Sequence, residues 1–72
     1  MSIHPLFGAN GFSPEDITIM SAALDGAMDA LGLTDRSDLI VETLAHRIIA
    51  LAQRGERDPD RLRDLAVLSV GK

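Results

Sequence analysis

At 72 residues and a net charge of −4, the chain has the length of one domain, near the lower limit for a self-sufficient core. The absence of cysteine, Trp and Tyr excludes disulfide staples, thiolate metal sites and the usual aromatic interface anchors, leaving an aliphatic core. Hydrophobic residues make up 46%, a globular level that argues against disorder, and no apolar run approaches the roughly 20 residues that span a bilayer.

Residues 1–12 are punctuated by Pro5, Gly8 and Gly11, yet Ile3, Leu6, Phe7 and Phe12 are too apolar for a free linker. The start lacks a basic stretch followed by an apolar one, so a secretory signal is not expected and a cytoplasmic protein is. Phe12 directly precedes the candidate cap Ser13, and Ile17 falls at the fourth helical position. That is the spacing of a hydrophobic staple, which predicts an N-terminal apolar arm folded back at its end onto the first helix.

A first helix is predicted over 14–31. Ser13 caps it, Pro14 takes the position where a missing N–H does no harm, and Glu15 and Asp16 complement the dipole. Ile17, Met20, Leu24, Ala27, Met28 and Leu31 form one stripe, with Ile19, Ala23, Gly26 and Ala30 beside it. The two stripes cover about 200° of the circumference. Gly26 costs roughly 1 kcal/mol against Ala inside a helix, a cost that close approach of another backbone would offset. Gly32 supplies the left-handed stop, with Leu33 placed to fold back on the helix end.

A second helix is predicted over 38–54, its cap open between Asp35, Ser37 and Asp38. Ile40, Val41, Leu44, Ala45, Ile48, Ile49, Leu51 and Ala52 fill about 180° of it. A third, over 59–70, starts at Asp58-Pro59 and carries a narrower stripe of Leu62, Leu65, Ala66 and Val70. Both links are short enough to force antiparallel neighbours. The fold expected is therefore all-α: an antiparallel three-helix bundle over 13–72, preceded by the 1–12 arm.

Apolar arcs of that width exceed the roughly 100° stripe a surface helix needs. Two bundle neighbours use part of the excess, and the remainder calls for the arm or a second chain. The expected association surfaces are the small-residue face of the first helix (Ile19, Ala23, Gly26, Ala30) and the flank of the second (Ile40, Leu44, Leu51). Charge is divided as well. Residues 1–42 hold seven acids against one base, while residues 43–72 hold six bases against four acids. Much of this is solvated surface and helix-start carboxylates. It would also orient two copies head to tail or antiparallel.

Catalytic and metal chemistry find little footing. His4 and His46 are the only histidines, and no His-x-x-x-His, Glu-x-x-His or cysteine cluster accompanies them. Glu42 and His46 form an i, i+4 pair of the kind that decorates helix surfaces. Asp58 and Asp60 are followed by Arg61, Leu62 and Arg63, which breaks a calcium loop and leaves capping as their role. Gly8-Ala9-Asn10-Gly11 precedes a helix as a phosphate loop does, but no strand comes before it and Glu15 and Asp16 repel an anion. Acyl carrier proteins attach a prosthetic arm to the Ser of an Asp-Ser-Leu motif. In Arg36-Ser37-Asp38-Leu39 the order is scrambled, and Ser37 is better read as a capping candidate than as an attachment site. No catalytic, cofactor or metal residue is assigned.

The second and third helices with their short turn imitate a helix-turn-helix, and five arginines lie between Arg47 and Arg63. The acids Asp60 and Asp64 interrupt the third helix, and a pI of about 4.8 weakens phosphate attraction. Nucleic-acid binding through Arg54, Arg57, Arg61 and Arg63 is therefore the alternative to a protein–protein interaction module working as a homodimeric adaptor or regulator. Finally, Ile48-Ile49-x-Leu51-Ala52-x-x-Gly55-Glu56-Arg57-Asp58-Pro59, followed by Leu62, resembles a pattern of short bacterial helical proteins over residues 13–66. The resemblance implies a bacterial cytosolic protein built of helical hairpins and carries no active site with it.

Overall fold

The computed structural model describes residues 11–71. Three helices follow in order: α1 (Pro14–Leu31), α2 (Leu39–Gln53) and α3 (Pro59–Gly71), with no strand among the described residues. Their ends are set by local chemistry. Ser13 and Asp16 form a reciprocal capping box: the Asp16 amide donates to Ser13 Oγ at 3.1 Å and the Ser13 amide to Asp16 Oδ2 at 3.3 Å. Gly32, at φ 71°, closes α1, its amide donating to Asp29 O while the Leu33 amide donates to Met28 O at 2.8 Å. This is a Schellman motif, and Leu33 packs back against the core.

Of the three candidate caps for α2, Asp38 takes the role by accepting from the Ile40 amide at 2.9 Å. Asp35 instead accepts from the Ser37 amide and hydroxyl, closing a small turn upstream and holding its carboxyl below the usual carboxylate range. Gly55 (φ 103°) ends α2 with a second Schellman pair, Gly55 N to Ala52 O and Glu56 N to Leu51 O. Asp58 Oδ1 then accepts from the Asp60 amide at 3.0 Å at the start of α3.

The short links reverse the chain twice, so α1 and α3 run in the same direction with α2 antiparallel to both. Arg57, just before α3, reaches Asp16 at the start of α1. Arg36, just before α2, reaches Asp25 in the C-terminal half of α1. The core that results is aliphatic, with Met20, Leu24, Leu44, Ile48, Leu62 and Val41 as its largest fully buried side chains. Every helix packs on both others, α1 most extensively on α3. Phe12, Ile17 and Ile19 each pack against this core, half-buried. The rest of the expected arm, residues 1–10, lies outside the described residues.

Gly26 shows what the small-residue face is for. The Arg63 side chain of α3 lies across it, and a Cβ there would come within 2.9 Å of Arg63 Cδ. The close approach is thus made inside one chain, by an aliphatic stem, with no second backbone involved. A flexible side chain yields at small cost, and the surface pairs of Arg63 with Asp60 and Asp64 are worth little. Gly26→Ala is therefore expected to stabilise the fold by about 0.5 kcal/mol, the helix-propensity gain of roughly 1 kcal/mol less the displacement of Arg63. Urea denaturation reads the sign, and a loss of stability would show that Arg63 has no room to move.

Candidate interaction surface

The face expected to bind a second chain is largely consumed by the first. Ala23, at 1% exposure, is core, Ile19 and Gly26 are half-buried, and only Ala30 is exposed. The stripe faces α3, as the Arg63 contact at Gly26 and the shared groove of Ala30 with Val67 and Leu68 show. On α2, Leu44 and Leu51 are buried and Ile40 alone is open, at 40%. Ala23 and Leu44 are therefore removed from the expected association surface, and Leu51 keeps only an 8% exposed edge. Helical periodicity marked a second apolar face on each helix, and packing within the one chain buries most of it.

What stays uncovered is smaller and lies elsewhere. Leu39, Ile40 and Leu68 are the large hydrophobics exposed among the described residues. All three lie at the end of the bundle where α1 finishes, α2 begins and α3 finishes. Two of them extend a seam. Ile40, Leu44, Arg47, Leu51 and Arg54 follow one another at four- and three-residue steps along α2, as do Arg61, Leu65 and Leu68 along α3. The rows meet at a groove of about 500 Å³, with Leu51 and Leu65 in its wall, Arg47 and Arg54 on the α2 side, and Arg61 on the α3 side. Ile40 continues the α2 row toward the far end, and Leu68, last of the α3 row, borders the α1–α3 groove beside Ala30 and Val67.

The arginines assigned to an anionic partner do not act together. Arg57 is a structural tie: Nε donates to Asp16 Oδ1 at 2.9 Å, Nη1 to the carbonyls of Ala52 and Glu56, and the guanidinium lies 5.6 Å from the Phe12 ring centroid. Arg61 pairs with Glu56 at 2.9 Å, and Arg63 with Asp60 and Asp64. Asp64, beside Arg63, pushes that guanidinium's pKa further up. Of the four, Arg54 makes no ion pair with a described residue, and Arg47, outside the expected set, makes none either. The spacing of 47 to 54, two helical turns on one flank, was the signal that could have singled them out.

No group of three or more His, Asp or Glu able to hold a metal occurs among the described residues. His46 is exposed and makes no ion pair with Glu42, and His4 lies outside the described residues. The Ser21 hydroxyl is buried without a hydrogen-bond partner among the described residues, so no described base accepts its proton. Ser37 Oγ donates to Asp35 at 2.7 Å and serves the turn before α2. No described helix is long and apolar enough to cross a membrane. The chain matches no family model, no curated protein and no solved structure.

Proposed function

We propose that the protein is a small helical interaction module that binds another polypeptide through its α2–α3 face. The observation that carries this reading is the placement of exposed apolar side chains. Among the described residues the bundle buries fourteen hydrophobic side chains, yet leaves Leu39 and Ile40 at the start of α2 and Leu68 near the end of α3 exposed at one end of the molecule. Large apolar side chains left open together on a small bundle are what a binding face looks like. A homodimer is one form of this reading and no longer its requirement, because the wide arcs that motivated it are satisfied within one chain. Nucleic-acid binding is the weaker alternative, since three of its four arginines are held by carboxylates of the same molecule.

The test is site-specific photocrosslinking in the native cell. A photoreactive residue replacing Ile40, exposed on the α2 row, is expected to yield a discrete protein adduct, while one replacing Thr18, exposed on α1, is expected to yield none. Equal adducts from both positions, or none from either, would remove the α2–α3 face as the binding surface. Sedimentation of the unmodified chain at micromolar concentration decides whether the adduct includes a second copy.

A further inference from the structure

We infer that the α2–α3 groove takes an acidic amphipathic helix, whose apolar ridge rests on half-buried Leu65 and the 8% exposed edge of Leu51 while its carboxylates meet Arg47 and Arg54. The inference rests on the α2–α3 face being the binding surface and adds the chemistry of what binds there. Two antiparallel helices with leucines between them form the kind of trough into which a third helix lays an apolar stripe. The charge along its rim is what selects the occupant. In a chain of net charge −4, Arg47 and Arg54 are two cations on one wall with no ion-pair partner among the described residues. Seven residues of α-helix set them about 10.5 Å apart along the axis. Two carboxylates seven residues apart on a partner helix have the same spacing, so a helix lying along α2 satisfies both guanidinia at once.

Other occupants fit less well. No aromatic side chain lines the groove for bases to stack on. A second copy would have to offer an acidic ridge with an apolar crest. The exposed face of α1 offers Glu15, Asp25 and Asp29 around Thr18 and Ala22, which has the charge and lacks the crest.

Fluorescence anisotropy with the full chain tests this directly. The probe is a fluorescein-labelled, helix-stapled synthetic peptide with leucines at i, i+3 and i+7 and glutamates flanking them. The control replaces every glutamate with lysine. The acidic peptide is expected to bind at least about tenfold more tightly than the basic one, an advantage that shrinks with added salt. Arg47→Glu with Arg54→Glu should reverse the preference, and both positions are exposed, so the variant retains its fold by circular dichroism. Equal binding of the two peptides, or a preference that survives the double charge reversal, overturns the inference. A single-stranded DNA oligonucleotide that displaces the acidic peptide at equal concentration overturns it in favour of a nucleic acid. If neither peptide binds while Ile40→Asp abolishes a dimer seen by sedimentation, the α2–α3 face belongs to a second copy: the acidic-helix inference fails and the interaction face stands. If neither peptide binds and no adduct forms at position 40, both fall together.

Discussion

Replacing Leu62 by alanine is expected to cost about 3 kcal/mol and to lower the melting temperature by roughly 12–24 °C. Leu62 is fully buried, and with Ala66 it is all that α3 contributes to the fully buried core. The other apolar side chains of that helix, among them Leu65, Val67 and Val70, are only partly covered. Truncating a leucine in a close-packed interior loses both its transfer free energy and the contacts of the atoms that lined it. A chain of this length has on the order of 4–11 kcal/mol of total stability, so the loss is a large fraction of the whole. Thermal denaturation followed by far-ultraviolet circular dichroism measures it. Leu68→Ala, on the same helix but exposed, is expected to change stability by less than about 0.5 kcal/mol. A small effect at Leu62 with a larger one at Leu68 would mean that α3 is turned about its axis relative to the packing described.

The second large effect is expected at Arg57, whose guanidinium joins the start of α1, the end of α2 and the turn into α3. Arg57→Ala should cost about 2 kcal/mol, mostly from the two carbonyl hydrogen bonds and the contact with Phe12. The ion pair adds little at its partial exposure. Arg57→Lys keeps the charge and loses the planar fork, so it should recover less than half of the loss. Chemical denaturation gives both values, and full recovery by lysine would reduce the role of Arg57 to charge alone.

The same contact predicts a pH dependence. The Arg57 hydrogen bond, aided by those from Ser13, holds the Asp16 carboxyl below its ordinary value of 3.8. A carboxylate depressed in the folded state stabilises the fold fully above the unfolded value. Its contribution is lost as pH falls through the folded one. The melting temperature should therefore fall as pH drops from about 5 toward 2, with Asp35, depressed by Ser37, contributing in the same direction. In Asp16→Asn the decline should be shallower. An unchanged acid limb in that variant would assign the acid sensitivity to other carboxylates.

The helices were legible because their ends are written in local chemistry. Ser13-Pro14, Gly32, Gly55 and Asp58-Pro59 act on backbone groups a few residues away, so their meaning does not depend on the fold. The predicted ranges 14–31 and 59–70 differ from the observed helices by at most one terminal residue, and Asp38 proved to be the cap just outside α2. What covers a helix face is a different question. Periodicity assigned Ala23, Gly26, Leu44 and Leu51 to apolar flanks correctly, but it names no neighbour. At Gly26 the neighbour turned out to be α3, whose Arg63 stem lies over it. Asp16 likewise read as a helix-start carboxylate, and nothing local pointed to Arg57, 41 positions along the chain. The groove shows the same limit. Its arginines were visible as a cluster, while the division between committed and uncommitted ones depended on partners brought close only by folding.

The makeup of α3 has a consequence for any occupant of the groove. One bank of that trough packs widely on the other helices yet has only Leu62 and Ala66 fully buried, so much of its apolar contact is half open to water. A guest resting on Leu65 would close part of that surface and brace the bank, and its binding energy would appear as resistance of the whole chain to heat.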